Sequence, residues 1–315
     1  MRNITFIERR HYCIVMAMKR LLRRVLKGIP GFDQMLFLRG AFTGHFYSPI
    51  PSMKEIRKNR DVIFDVPREL PAIDLREQEQ MRLVEIFARE YYRDQPFREE
   101  RTDGLTYFFH NEAFCHSDAI MLHCMLRHFR PRKVIEIGSG FSSCVTLDTN
   151  QLFLNNSIEC IFIDPYSEVL KTLRGGTVDG LNIVAKRAQD VSLDVFRELG
   201  EGDVLFVDSS HVAKVGSDVN HIFFNILPVL RSGVRVHFHD VFYPFEYPED
   251  WVFNGRSWSE AYLLRAFLQF NAGFEIELFP NYLIHFHENF FKRHMPLCLK
   301  DAGGSIWLRK KQHSI

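Results

Sequence analysis

Cysteine is sparse and unpaired in this sequence: Cys13, Cys115, Cys124, Cys144, Cys160 and Cys298 are scattered, mostly in apolar runs, and no two form a CxxC. That pattern excludes a disulfide framework and reads as free thiols in a reducing compartment, so a cytoplasmic protein is expected. No His or Cys group has the compact four-ligand spacing of a structural zinc site either. Long apolar runs are missing as well. The longest near the start, CIVMAM, is too short to span a bilayer, and no small-residue cleavage site follows a proper apolar core, which argues against a transmembrane helix and a signal peptide there. A net charge of +1 over 315 residues gives no overall case for a nucleic-acid partner. Internal repeats and low-complexity tracts are absent. What is present is ordinary globular material, 46% hydrophobic and 25% charged, enough for one large domain or a domain with a substantial extension.

Charge is unevenly placed. From Met1 to Lys27 eight Lys or Arg stand against one Glu, and MAMKRLLRRVLKGI sets Met18, Leu21, Leu22, Val25 and Leu26 on one helical face. Residues 1–30 therefore form a basic amphipathic leader. It packs on the body, or it lies on an anionic membrane as a peripheral contact, or translation starts at Met16 or Met18. Residues 31–130 read as a helical region that shapes a substrate pocket. Its GHFYSPIPS stretch favours extended backbone, an ordered arm. EQEQMRLVEIFAREYYRD and SDAIMLHCMLRHF then carry apolar residues at helical spacing, with Ser117 placed to cap the second.

After Pro131 the pattern changes. KVIEI, CIFID, LNIVA, DVLFVD and VRVHFHD are short β-rich runs separated by helical ones, and FEIELF and GGSIWLRK follow as two more strands, the last antiparallel. Strands alternating with helices predict an α/β fold over residues 131–311, a Rossmann-like seven-stranded mostly parallel sheet covered by helices on both faces.

In such a sheet the ligand crevice lies beyond the carboxyl ends of the strands. RKVIEIGSGFSS puts Gly138, Ser139 and Gly140 at the end of the first strand, just before a helix whose free N–H groups face the same place. Glu136 stands where a pyrophosphate site would not want an acid, which favours a ligand with a cationic or amino group. The second strand ends at Asp164, positioned for the hydroxyls of a ribose, and Gln189 and Asp190 after the third are placed for an adenine edge. A nicotinamide dinucleotide, and hence an NAD-dependent oxidoreductase, is the structural competitor. It wants a third glycine where this chain has Ser143.

The order EIGSG, FIDP, AQD, LFVDSSH resembles that of the class I S-adenosylmethionine-dependent methyltransferases over about residues 131–311. The run DSSHVAKVGSDVNHIFFNILPVLRSGVRVHFHDVFYPFEYP, with HFYSPIP and GGSIWLRK, is similar to a bacterial group of methyltransferase-domain proteins that resemble O-methyltransferases of small hydroxylated or glycosylated molecules. The resemblance implies S-adenosylmethionine as cofactor, with Glu136, Gly138 and Gly140 at its methionine and ribose end, Asp164 at the ribose hydroxyls and Asp190 at the adenine. A small-molecule or glycan-type acceptor follows, with O-methylation as the reaction.

Polar residues gather at the next strand ends: Asp208, Ser209, Ser210 and His211, then His237, His239 and Asp240. One scheme makes His211 or His239 the general base, with Asp208 beside them. Another lets Asp208, His239 and Asp240 hold a divalent metal ion, as related metal-dependent enzymes do with acids at these ends. His239 replaces one of two adjacent acids there, which favours a softer ion than Mg²⁺. A third makes these groups structural caps; His237 is expected to be buried and hydrogen-bonded. The aromatic stretch after Asp240 reads as a lid or as a hydrophobic cluster tying down the last helix. Arg256, Trp258, Glu260 and Tyr262 are the candidate acceptor contacts there, and Tyr47 and the Asn111–Asp118 segment are expected to close the other side. LIHFH around His285 and His287 reads as strand-like. A competing function of another class is a non-catalytic cofactor-binding partner in a surface-polysaccharide or natural-product pathway.

Overall fold

The computed structural model describes residues 44–176 and 180–312. The readings of the basic leader and of Cys13 fall outside these residues. The described chain forms two compact units that divide after Ile63.

In the first unit, two short helices, α1 (Met53–Lys58) and α2 (Arg60–Ile63), follow the proline-rich arm. The Ser52 hydroxyl caps α1 by accepting the Glu55 N–H. Tyr47 belongs to this unit and its ring is exposed.

The second unit runs α3 (Glu77–Glu90), α4 (His116–Phe129), β1 (Lys133–Ile137), α5 (Phe141–Phe153), β2 (Glu159–Ile163), α6 (Glu168–Leu173), β3 (Asn182–Val184), α7 (Leu193–Arg197), β4 (Val204–Val207), α8 (Asp218–His221), α9 (Leu227–Val229), β5 (Arg235–His239), α10 (Glu249–Phe253), α11 (Glu260–Phe270), β6 (Phe274–Leu278), α12 (Pro280–His294) and β7 (Ser305–Lys310). A π turn, Ile222–Ile226, joins α8 to α9. The seven strands make one sheet in the order β3-β2-β1-β4-β5-β7-β6, with β7 antiparallel to both neighbours and the rest parallel. The order reverses at β1, so the crevice opens between the tips of β1 and β4.

The central strands are buried end to end because helices cover both faces, which is why KVIEI, VLFV and RVHFH lack strict polar alternation. Their start is fixed by one buried carboxylate: Asp203 accepts the N–H groups of Arg132, Lys133 and Gly200 at 2.8–3.0 Å. A second buried acid, Asp148 on α5, accepts the N–H groups of Thr106 and Tyr107 and the Thr106 hydroxyl, anchoring the segment that leads into α4. Helix α4 packs on α5 and is buried along almost its whole length, so within the second unit the segment before Pro131 shares one core with the sheet.

Three local readings change. Helix α4 starts at His116 with Cys115 at its N-cap, not Ser117; the Ser117 N–H is drawn instead to the carbonyl of Asp301. LIHFH lies inside α12: Pro280 is suited to a first helical turn, and Tyr282, Leu283 and Phe291 give the buried stripe. His237 is buried as expected, but neither ring nitrogen has a hydrogen bond; the ring stacks on Phe206 at 3.9 Å, and burial holds it neutral, its pKa well below the ordinary histidine value. Cys124, Cys144 and Cys298 are buried, and all five cysteines among the described residues are free.

Candidate active site

Two neighbouring features occupy the strand ends, one on each side of Asp208. The first is the turn after β1. Gly138 has φ +91°, and a Cβ there would lie 2.3 Å from the Asp208 carbonyl oxygen, so only glycine lets the tips of β1 and β4 close on each other. Gly140 is different: a Cβ would meet only the Val169 methyl at 3.8 Å, which leaves room beside the first turn of α5. Ser139 Oγ donates to Asp164 Oδ2 at 2.6 Å, and Asp164 Oδ1 accepts the Tyr166 N–H at 2.7 Å. A hydroxyl therefore already satisfies the acid at the β2 tip, in the manner a ribose diol would.

Glu136 lies beneath this turn, fully buried. Its Oε1 accepts the hydroxyls of Ser142 (2.6 Å) and Ser143 (2.9 Å), and Ser143 Oγ also accepts the Gly140 N–H at 3.0 Å. Burial pushes its pKa up to about 8 against the two serine bonds, and Oε2 has no partner. Glu136 thus anchors the helix start that carries the turn. Ser143, in the place of a third glycine, is committed to the same anchor, a departure from a dinucleotide fingerprint. Of the adenine candidates, Asp190 is exposed and paired with Arg187 at 2.7 and 2.9 Å, while the Gln189 amide donates to the carbonyl of Gly216.

The second feature is a cavity of about 400 Å³ lined by Asp208, His239 and Asp240 from the sheet, by Glu112, Ala113, Cys115 and Asp118 from the segment entering α4, by Asp301, Gly303 and Gly304, and by Phe242, Pro248, Trp251, Arg256 and Trp258. The loop before α4 is held by Asn111, whose carboxamide oxygen accepts the N–H groups of Ala113 and Phe114 and whose amide donates to the carbonyls of Phe108 and Phe114. Arg256 lies over the Trp251 ring at 3.8 Å and the Trp258 ring at 5.1 Å. Tyr262 is not brought to the cavity: its hydroxyl bonds Glu246 and it is 44% exposed. The aromatic stretch is both wall and tie, since Trp251, Trp258 and Phe242 line the cavity while Tyr243 and Phe245 are buried against Phe279.

Between the turn and the cavity sits a cluster that sequence spacing left dispersed. His211 Nε2 lies 3.3 Å from Asp208 Oδ1 and 3.5 Å from Asp240 Oδ2, and its Nδ1 lies 3.0 Å from Glu260 Oε2. Burial alone would lower its pKa; the bonds to Asp208 and Glu260 and the nearby carboxylate charges overcome that and raise it to about 10. With no ion between these groups the acids favour the protonated ring; binding an ion at Nε2 would displace that proton. Asp208 is held below its usual range, the His211 bond and the charges of His239 and His211 outweighing burial. His211 and Asp240 both have positive φ, +57° and +56°, and such non-glycine strain concentrates at functional sites.

His239 stands apart from this triad. Its Nε2 lies 3.2 Å from the Ala113 carbonyl oxygen and 3.6 Å from Asp240 Oδ1. Among the described residues, the group able to bring three ligand atoms within 4.8 Å of one another is Asp208, His211 and Asp240, while His239 stands outside it. Glu260 on the far ring nitrogen of His211 is the carboxylate that metal-ligating histidines ordinarily carry. Its link to His211, 49 residues upstream, has no local signature in the sequence; the serine hydroxyl of Ser209, which donates to Glu260 Oε1 at 2.9 Å, completes its hydrogen bonding.

A mostly parallel seven-stranded sheet, a glycine turn beside an acid one strand over, and a cavity at the adjoining strand tips give the Rossmann-like architecture of the class I methyltransferases. Residues 135–241 match the family model described as a methyltransferase domain. An uncharacterised protein of Archaeoglobus fulgidus is 37% identical over 163 residues, half of this chain and 73% of that protein. The chain belongs to this methyltransferase family. Solved structures with some likeness include the S-adenosylhomocysteine-bound methyltransferase PaMTH1 of Podospora anserina (14% identity, 84% of this chain, 99% of that one, TM-score 0.42) and the O-methyltransferase TomG of Streptomyces achromogenes, involved in tomaymycin synthesis (14%, 82% and 96%, TM-score 0.38). Among the described residues no helix is long and apolar enough to cross a membrane.

Proposed function

We propose that the protein transfers a methyl group to a hydroxyl oxygen of a small or carbohydrate-linked acceptor seated in the cavity of about 400 Å³. The observation that carries this reading is the double position of Asp208. Its backbone carbonyl closes against Gly138 of the cofactor turn, and its carboxylate lines the acceptor cavity. Methyl transfer from a sulfonium is an in-line displacement, so the acceptor oxygen must reach the methyl carbon directly, and Asp208 borders both the turn and the cavity where the two would meet.

The residues fit the cofactor: a Cβ at Gly140 would meet only the Val169 methyl, and the Asp164 carboxylate is already bonded by one hydroxyl, both beside the start of α5. Ser139 and Asp164 would take the ribose, and Gln189 and Asp190 flank the adenine end. S-adenosylmethionine supplies the electrophilic methyl group. In the acceptor cavity the chain must orient a hydroxyl and remove its proton.

Asp208, His211 and Asp240 would hold a divalent cation, which acidifies an acceptor hydroxyl when bound. The donor set of two carboxylates and one imidazole with a supporting glutamate fits such an ion. Glu260 orients His211, and the strained backbone at His211 and Asp240 keeps both side chains aimed at Asp208. Arg256 and Trp258 border the acceptor, and His239 is held by Ala113 at its edge. The test is incorporation of labelled methyl into candidate alcohols, with and without EDTA followed by metal addition. Transfer to oxygen that EDTA abolishes and a divalent ion restores supports both parts. Labelled product on nitrogen or carbon overturns the first, and full activity in EDTA overturns the second.

A further inference from the structure

The acceptor cavity is acidic beyond what the proposed cation site uses. Five carboxylates line it, Glu112, Asp118, Asp208, Asp240 and Asp301, against Arg256 as its one Lys or Arg. If a cation engages Asp208 and Asp240, three acids remain, Glu112, Asp118 and Asp301, with Arg256 and His239 as the basic side chains on the same lining. Asp118 is the informative one. It is 3% exposed; Oδ2 accepts the Gly304 N–H at 3.0 Å, and Oδ1 has no hydrogen bond. Ser305 Oγ faces it as a neutral donor, outside strict hydrogen-bond geometry, and His239 is the nearest basic side chain acting on it. The chain makes room for this acid: at Gly303, φ +66°, a Cβ would fall 2.4–2.7 Å from its carboxylate atoms. His239 Nδ1, on the same lining, is a second buried polar atom without a partner.

Burial raises the Asp118 pKa, the response of a carboxylate short of partners, and a cationic donor would hold it ionised where a neutral one would not. The surrounding acids repel an anionic acceptor and attract a cationic one. The indoles of Trp251 and Trp258 add faces that draw positive charge, as the seating of Arg256 on them shows. We infer that the acceptor is a hydroxylated amine, an amino sugar or amino alcohol in its ammonium form, with the ammonium seated at Asp118 and the hydroxyl at Asp208. This deepens the proposed methyl transfer and rests on it.

The test uses the full-length protein saturated with S-adenosylhomocysteine, whose binding is first established by its own calorimetric signal. D-glucosamine, N-acetyl-D-glucosamine and D-glucose are then titrated separately, below the pKa of the amine. The expected result is glucosamine binding at least tenfold tighter than either neutral sugar. Asp118→Asn should erase that preference while leaving S-adenosylhomocysteine affinity intact, and Asp301→Asn, a second variant in case the first misfolds, should weaken it. Equal or tighter binding of the neutral sugars, or no binding of any of them, overturns the inference, as does a preference that survives Asp118→Asn. Failure of S-adenosylhomocysteine to bind overturns the parent reading and this one with it, so the two failures are told apart at the first step.

Discussion

Glu260 Oε2 lies 3.0 Å from His211 Nδ1, on the ring nitrogen opposite the one that meets Asp208 and Asp240. The His211 backbone carbonyl in turn accepts the N–H groups of Ser259 and Glu260, so the start of α11 and the loop after β4 are locked to each other through one residue. Glu260→Gln removes the charge and keeps the shape. Methyl-transfer activity should fall about 10–100-fold, the usual effect of losing a carboxylate behind a metal-bound histidine, with divalent-ion affinity falling in parallel. Calorimetric titration of the ion against the variant checks it; unchanged affinity would make Glu260 a structural tie alone.

Gly138 leaves no room for a side chain. Gly138→Ala brings a methyl to 2.3 Å from the Asp208 carbonyl oxygen in a backbone region that L residues avoid. The strand tips must part, so we expect weaker cofactor binding, by tenfold or more, and a stability loss of about 2–4 kcal/mol. Gly140→Ala, facing only the Val169 methyl at 3.8 Å, should lose no comparable stability. Chemical denaturation of the two variants side by side is the check.

Glu136 should make the protein less stable as pH rises. Its folded pKa of about 8 stands above the unfolded value of 4.5, so between these values the unfolded chain has released a proton that the folded one still holds. Stability from this group is present below pH 4.5 and is lost progressively up to about pH 8. Glu136→Gln should therefore gain on the wild type by about 1–3 kcal/mol at pH 7, with the gap closing towards pH 4.5. Glu136→Ala strands the Ser142 and Ser143 hydroxyls and should cost about 1–3 kcal/mol instead. Urea melts across that pH range decide the sign.

His123 works in the opposite direction. The ring is buried on α4 against the Thr149 hydroxyl at 3.0 Å, and burial, aided by Arg127, lowers its pKa to about 3. Below pH 6.5 the unfolded histidine takes up a proton that the folded one refuses, so stability falls as the solution is acidified from pH 6.5 towards 3. Replacing His123 with Gln removes that slope, which amounts to about 2 kcal/mol between pH 6.5 and 5. If the variant and the wild type lose stability in parallel over that interval, His123 is not buried as a neutral ring.

The sheet was legible because its signals are local. Each of KVIEI, CIFID, DVLFVD and VRVHFHD is a short apolar run ended by polar residues, and burial on both faces writes that pattern directly into the sequence. The glycine turn and Asp164 were legible for the same reason: a strand tip is a fixed place in a parallel sheet. The triad was legible only in part. Asp208, His211 and Asp240 sit at adjoining tips, but the choice of His211 over His239 depends on left-handed backbone at His211 and Asp240, which no periodicity reports. Asp118 and Asp301 meet at the cavity because the Ser117 N–H bonds the Asp301 carbonyl across 184 positions, a purely tertiary event. LIHFH misled for a related reason. A strand-like alternation of His and apolar residues sits in a segment whose proline start and helical stripe become decisive only when α12 packs on α3 and α4.

The proposed cofactor placement turns on Asp164, whose carboxylate receives the Ser139 hydroxyl at 2.6 Å. Calorimetry of S-adenosylhomocysteine against wild type and Asp164→Ala, with NAD as comparison, addresses this site alone. We expect saturable one-to-one binding of S-adenosylhomocysteine, none of NAD, and at least a tenfold loss in Asp164→Ala with the fold preserved. Binding unaffected by Asp164→Ala, or a preference for NAD, would contradict the placement of the adenosyl group between β1 and β2.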